Sequence, residues 1–439
     1  MTDVVGLLQQ LVRFDTSNWG HGRSSGETPC ALWIEGLLRE VGYEPQLLWR
    51  EDSPDRGNVV VRVEGTEPGL GGLVVHGHLD VVPAEPEEWS VDPFGGVVRD
   101  GFVYGRGTVD MKDMVACMLA TLLTWAEHSV RPRRDLVFAF VADEEDAGEY
   151  GAGWLVQAHP GLFAGCEAAI GEEGGQVYPA RSATGDEVRL YPVAVAERGT
   201  LHCRLTARGV GGHGSRPTGK DAVAQLVAVL ARVQQHRWPR QVPDAVRAQV
   251  AAMAQALGHQ VDVDDEDSYA AFCEALGPQT AGPLPWTVRP SATVTVLQAG
   301  TKVNVVPSVA TAEVDVRCPP GSFETTRQAL LELVGPDLEV ELLNPGPPCE
   351  SPVDSPWFEA IRTVITATDP EAAVVPMCLG GGTDAKAFAS LGLLTYGFTP
   401  LGPDPEGRRP DGVHGVDERN TVAGLRVGER MLRRFLEQV

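Results

Sequence analysis

The sequence predicts an α/β fold in which a mostly parallel sheet is covered by helices and a smaller α+β unit is inserted. Three observations carry this reading. Residues 136–141 are a continuous apolar run and residues 73–78 begin as one, the pattern of strands buried on both faces. Segments with helical spacing alternate with such runs, as in α/β units with a parallel sheet. Beyond Arg189 the order becomes strand, helix, two strands, helix, strand, which is that of the ferredoxin-like sandwich.

Each element follows from its local pattern. Over residues 1–18, Val4, Val5, Leu7, Leu8, Leu11 and Val12 recur at helical spacing, and Asp15-Thr16-Ser17-Asn18 ends the helix. A glycine-rich loop at 20–26 precedes a helix at 27–41, which Gly42 closes as a left-handed cap. Strands are expected at 46–49, 58–63 and 73–78. Gly105-Arg106-Gly107-Thr108-Val109-Asp110-Met111-Lys112 leads into a helix at 114–127. The strand at 136–141 runs into Ala142-Asp143-Glu144-Glu145-Asp146. After a helix at 151–158, a strand at 168–170 closes on Gly171-Glu172-Glu173-Gly174-Gly175.

In the inserted unit a long strand is expected at 193–207 and a helix at 221–234. Strands at 292–297 and 310–317, a helix at 323–334 and a strand at 338–343 complete it. Residues 241–290 are an Ala- and Asp-rich insertion assigned to helices. Asn344-Pro345-Gly346-Pro347-Pro348 reads as the exit linker. The larger domain is therefore discontinuous, 1–189 and 347–439, and 190–346 is the smaller one.

At 439 residues the chain exceeds the ~250–300 at which single cores stop growing, which supports two domains. A net charge of −24 argues against a nucleic-acid or anionic-membrane partner and suits a protein that gathers carboxylates around cations. The eight cysteines are scattered with no Cys-x-x-Cys pair, so reduced thiols in a cytoplasm are expected. The amino-terminal stretch starts with acid rather than base, unlike a secretory signal. No run of about 18 apolar residues is present to span a membrane.

Polar clusters collect at the carboxyl ends of the expected strands, where α/β sheets place their ligands. Strand residues two apart share a face, so His78 and Asp80 can enter one cleft. A ligating imidazole usually hands its second N–H to a carboxylate, and this pair supplies both parts. Two zinc ions about 3.5 Å apart would need nitrogen and oxygen ligands, a bridging carboxylate, an open water position and a nearby base. The candidates are His78, Asp110, Glu145, Glu172 or Glu173, and His414. Two dications against three carboxylates and a hydroxide leave such a centre near neutral, as partial burial demands.

Singly, each residue has an ordinary alternative. Asp110 could be a helix N-cap, Glu144 and Glu145 a solvated acidic turn, and His213 and His414 loop histidines bonded to backbone. Their coincidence at strand ends favours the metal centre. A serine or cysteine hydrolase finds no support: there is no Gly-x-Ser-x-Gly elbow and no cysteine in a reactive-loop motif.

His78-Leu79-Asp80-Val81-Val82-Pro83, the 105–112 loop and Ala142-Asp143-Glu144-Glu145 resemble the zinc exopeptidase family. That family includes aminoacylases, glutamate carboxypeptidases, acetylornithine deacetylase and succinyl-diaminopimelate desuccinylase. Gly212-His213-Gly214-Ser215, Asn304-Val305-Val306-Pro307, Gly380-Gly381-Gly382-Thr383-Asp384 and the His414 loop extend the resemblance over essentially the whole chain. It implies a hydrolase with two Zn2+, replaceable by Co2+ or Mn2+. The substrates would be N-acyl amino acids or small peptides with a free carboxylate, cleaved at the amide. The discontinuous domain would be catalytic and the 190–346 domain a lid and dimerisation unit.

By the family pattern, His78, Asp110 and one of the glutamates at 172–173 hold one zinc, and Glu145 and His414 the other, with Asp110 shared. The aminoacylase-like Asp-Glu-Gly form favours Glu173. Asp80 would orient His78, and Glu144 would act as general base on the attacking water. A cis peptide is implied at Asp110-Met111. His213 would reach into the partner's site of a homodimer as an oxyanion donor. Asn304, Arg317, Gly381, Gly382 and Thr383 would hold substrate, with an arginine meeting the free carboxylate. Asp113-Met114, where many relatives carry glycines, is expected to alter the wall near the metals. Two alternatives stay open: carboxypeptidase or dipeptidase specificity, and a non-catalytic metal-binding scaffold.

Overall fold

The computed structural model describes residues 3–146, 148–216 and 219–439. Helix α1 (Val4–Val12) buries the six apolar side chains that helical spacing brings to one face. Met1 and Thr2, the start of the expected segment, lie outside the described residues. Then follow α2 (Thr28–Glu40), β1 (Gln46–Arg50), β2 (Ser53–Val63), β3 (Gly72–His78) and α3 (Lys112–His128). The chain continues through β4 (Leu136–Val141), α4 (Ala152–Ala158), β5 (Cys166–Gly171) and β6 (Glu187–Glu197). Next come β7 (Cys203–Arg208), α5 (Ala222–Gln235), α6 (Asp244–Leu257), α7 (Glu266–Ala281), β8 (Ser291–Ala299) and β9 (Val309–Cys318). The last elements are α8 (Phe323–Val334), β10 (Leu338–Leu342), α9 (Pro356–Thr368), β11 (Ala372–Leu379), β12 (Leu394–Gly397) and α10 (Val422–Gln438).

The main sheet has the order β12-β5-β3-β4-β2-β1. Its four strands β12, β5, β3 and β4 run parallel, while β2 and β1 join antiparallel at one edge. Both faces are covered. Leu73, Val75, Phe138 and Ile170 face the core that holds α1 and α3. Val74, Val137 and Ala169 face a second core with α4. Each of these valine, leucine, isoleucine and phenylalanine side chains contributes roughly 1.5–3 kcal/mol when buried. Packing on both sides therefore fixes β3, β4 and β5, whose carboxyl ends carry the polar clusters.

Strands β10, β7, β9 and β8 form an antiparallel sheet in that order, with α5 and α8 packed on it around Leu205, Leu226, Val314 and Leu330. Element sequence and strand order are those of the ferredoxin-like sandwich. Among the described residues, strand β8 pairs only with β9, leaving an edge on which Leu297 is exposed.

Three expectations differ from the structure. The single strand at 193–207 is two: β6 ends at Glu197, and the chain turns through residues 198–202 before β7. Apolar alternation on both sides of the break hid it. Strand β6 pairs in parallel with β11, so the expected junction at 189–190 falls inside a strand of the larger body. The chain crosses between the two sheets at residues 199–200 and again at 346, where Thr200 and Gly346 exchange backbone hydrogen bonds of 2.8 and 3.0 Å.

The insertion also lies elsewhere than expected. Val246, Val250, Met253, Tyr269 and Phe272 share the core of Tyr191, Val193 and Val375, not that of the ferredoxin-like sheet. The buried Gln249 side chain accepts the backbone N–H of Cys378 on β11 at 3.1 Å. Among the described residues, no helix is long and apolar enough to cross a membrane.

Candidate active site

Three parallel strands deliver the acidic and imidazole groups to one cleft. His78 ends β3, the turn with Glu144 and Glu145 follows β4, and Glu172 follows β5. Asp110 precedes α3, and His414 lies in the loop before α10. The two carboxylate oxygens of Asp110 face different imidazoles: Oδ1 is 3.1 Å from His78 Nε2, and Oδ2 is 3.1 Å from His414 Nε2. Glu172 Oε2 also lies 3.1 Å from His78 Nε2, and Glu145 Oε2 lies 3.4 Å from His414 Nε2. The result is two trios sharing Asp110, each with one donor atom per residue within 4.8 Å of the others.

The electrostatics of the cleft call for positive charge. Hydrogen bonding to Asp110 and Glu145 pushes His414 up to about 10. Burial opposes protonation of His78, yet its bonds to Asp110 and Glu172 outweigh this and raise it well above its ordinary value. Burial raises Glu144, and the neighbouring Glu172 charge adds to it. Glu145 Oε1 is buried without a hydrogen-bond partner among the described residues, a costly state for a carboxylate that a cation would relieve. An all nitrogen-and-oxygen donor set arranged as two sharing trios fits a pair of divalent ions.

One expectation needs correcting here. Glu172, not Glu173, stands beside His78. Glu173 adopts a left-handed backbone, φ +70°, at the end of β5, and its side chain belongs to neither trio. It lines the cleft instead, where burial raises it to about 7. The Asp110-Met111 peptide is cis, as the family resemblance implied.

Asp80 does more than was expected of it, and by another route. His78 Nδ1 sits 3.0 Å from the Asp80 backbone carbonyl oxygen but 3.6 Å from its carboxylate. That carboxylate accepts the backbone N–H groups of Glu144 at 3.1 Å and Glu145 at 3.2 Å. Glu418 works in the same way on the Asp110 loop, accepting backbone N–H groups from Gly107, Val109 and Asp110 at 3.0, 2.8 and 3.2 Å. Sequence reasoning missed Glu418. Its only local signal is an acid four residues beyond His414.

The cleft is a cavity of about 510 Å³ lined by Asp110, Glu144, Glu145, Glu172, Glu173 and His414. Val109, Met111, Tyr178, Leu379 and Val413 supply apolar wall, and Arg317, Gly381, Gly382 and Thr383 also line it. Arg317 is the one lysine or arginine among these lining residues. Its guanidinium is held by Asp315, Nε to Oδ1 at 2.7 Å and Nη2 to Oδ2 at 3.1 Å. The glycine loop is anchored by Glu197, which accepts the backbone N–H of Thr383 at 3.0 Å and also its hydroxyl. Asp113 and Met114 do not line the cavity: Asp113 turns to Asn420 at 3.0 Å, and Met114 joins the core.

His213 and Asn304 lie apart from the cavity. They meet each other across a short ladder in which His213 pairs with Val305, and Gly214 donates to the Asn304 carbonyl at 2.9 Å. Both are exposed.

The family model described as Peptidase family M20/M25/M40 matches residues 74–438. The chain belongs to the M20 peptidase family. It is 30% identical to the human N-fatty-acyl-amino acid synthase/hydrolase PM20D1 over 378 residues, covering 82% of this chain and 72% of that one. It is 26% identical to aminoacylase-1 of Pongo abelii over 401 residues, 89% of this chain and 85% of the relative. Among solved structures, an M20 family metallo-carboxypeptidase from Sulfolobus solfataricus matches with a TM-score of 0.75. At 15% identity, that match spans 100% of this chain and 99% of the other, and it establishes the fold. The protein is an M20 metallohydrolase of amide or peptide bonds.

Proposed function

We propose that this protein binds two zinc ions and hydrolyses the amide bond of N-acyl amino acids or small peptides that end in a free carboxylate. The observation that carries the reading is Asp110, whose two oxygens each face a separate imidazole at 3.1 Å. His78 and Glu172 would complete one ion's protein ligands, and Glu145 and His414 the other's. Ions held there would polarise the scissile carbonyl and lower the pKa of a water. Glu144, in the cavity wall beside both trios, would take the water's proton and return it to the leaving amine. Arg317 would receive the substrate carboxylate, a role supported by its place in the cavity wall and by Asp315 contacts that use only one edge of the guanidinium. The apolar wall of Val109, Met111, Leu379 and Val413 suits an acyl group.

His213 and Asn304 stand outside this cavity within one chain, and the edge of β8 is open. Both features support a homodimer in which a partner copy brings these residues to the site, with the ferredoxin-like unit as lid. Eight free cysteines fit a reducing, cytoplasmic setting.

The test is turnover of a panel of N-acyl amino acids, their carboxamide analogues and dipeptides by protein loaded with zinc, cobalt or manganese. Zinc-dependent cleavage of the carboxylates, lost on chelation, is expected. Glu144→Gln should keep its metal and lose about 10²–10⁴ in rate. Turnover unaffected by chelation would overturn the reading.

A further inference from the structure

Behind the turn that carries Glu144 and Glu145 lies a buried polar network of Glu27, Arg56 and Asp143, none of which lines the cavity. At its centre is Arg56, 3% exposed, beside Glu27, 0% exposed. The guanidinium donates from Nε and Nη2 to the two Glu27 oxygens at 2.7 and 2.8 Å. The same Nη2 donates to Asp143 Oδ1 at 2.7 Å.

Asp143 is the residue before Glu144, and it holds a left-handed backbone, φ +68°. For a residue other than glycine this conformation is unfavourable and persists only where the surroundings enforce it. Here they do. Asn18 Nδ2 also donates to Oδ1 at 3.2 Å, and the backbone N–H of Tyr150 donates to Oδ2 at 3.2 Å. The Asp143 carbonyl accepts the N–H of Gly148 at 2.6 Å. Asn18 Nδ2 bonds Asp80 Oδ2 as well, at 2.9 Å, joining the network to the carboxylate that accepts the Glu144 and Glu145 N–H groups.

We propose that Arg56 is a positioning residue for catalysis: through Asp143 it sets the backbone of the turn that aims Glu144 into the cavity. The inference rests on the reading of Glu144 as general base. Arg56 does not line the cavity, so its loss bears on the proton-transfer geometry and not on substrate contacts. A lysine keeps the charge but cannot make the forked pair with Glu27 while also reaching Asp143.

The experiment compares wild type, Arg56→Lys and Asn18→Ala, each with zinc, for kcat, KM, metal content and amide hydrogen exchange. Arg56→Lys should retain two metals per chain and a KM within about twofold, with kcat at least about tenfold lower. Exchange should rise in the peptide covering 142–146 while that of β4 stays protected. Asn18→Ala, which removes one bond to Asp143 and one to Asp80, should show the same pattern in smaller measure. A folded, metal-loaded Arg56→Lys with unchanged kcat and unchanged exchange would overturn the proposal. So would a kcat loss that only follows loss of metal. Failure of the general-base reading is separate: wild type and Glu144→Gln would then turn over alike, and exchange still decides whether Arg56 holds the turn.

Discussion

Arg106 and Glu418 form a buried ion pair, Nη1 to Oε2 at 2.7 Å, between positions 312 apart in sequence. The same carboxylate gathers three backbone N–H groups of the loop that carries Asp110, from a position just beyond the loop that carries His414. One side chain thus couples the shared ligand candidate to the most distant one.

Glu418→Ala should therefore do two things. It strands the Arg106 charge in the interior, which typically costs about 3–5 kcal/mol, read as a lower urea midpoint. It also frees the Asp110 loop, so metal affinity in chelator competition should fall about 10–100-fold. Wild-type affinity in the variant would mean that the Asp110 loop holds itself.

Glu172 and Glu173 can be separated by metal counting. Glu172→Gln should bind one zinc fewer per chain or bind it much more weakly, since Glu172 stands beside His78. Glu173→Gln should keep both ions and alter only KM. The reverse outcome would return the ligand to Glu173.

Asp315 ties the proposed carboxylate site at Arg317 to acid stability. Burial disfavours its charge, but the His202 imidazole, Nε2 3.1 Å from Oδ1, and the hydrogen bonds from Arg317 outweigh that and hold the carboxyl well below its usual range. A carboxylate depressed in the folded state contributes stability that is complete above its unfolded pKa, near 3.8, and is lost as pH falls through the folded value. The stability gap between wild type and Asp315→Asn should accordingly be flat from about pH 7 to 5 and shrink below about pH 4. At neutral pH the variant should also raise KM for carboxylate substrates about tenfold, with less effect on carboxamide analogues. Equal KM changes for both would deny Arg317 its carboxylate.

Mixed oligomers test the partner role of His213. His213→Ala and Glu144→Gln should each be nearly inactive alone. Mixed under conditions that exchange subunits, they should recover about a quarter of wild-type activity. Random pairing makes half the dimers mixed, each with one intact site. No recovery despite exchange would place His213 outside the partner's reaction.

Much of the site was legible because its chemistry sits where α/β sheets put it. His78 ends one buried strand, Glu145 and Glu172 follow two others, and Asp110 precedes a helix. The choice between Glu172 and Glu173 was not legible, since it depends on a left-handed residue at the strand end, a backbone property with no sequence mark beyond the glycines after it. The break after Glu197 was hidden by apolar alternation on both sides of it. Arg56 and Glu418 were invisible for a different reason: their partners are 29 to 312 positions away, and a buried arginine reads like a surface one until the fold closes over it. The insertion at 241–290 was assigned to the wrong neighbour because amphipathic helices disclose a sticky face but not what it meets.

That last placement matters to anyone shortening the chain. Among the described residues, strand β11 pairs on one side only, with β6, and Gln249 accepts a backbone N–H on it. Excising the helical pair would strip an oily face and open a parallel edge together, the combination that invites copies to zip into aggregates. The segment covers part of the core of the larger body, so trimming it is the wrong route to a smaller enzyme.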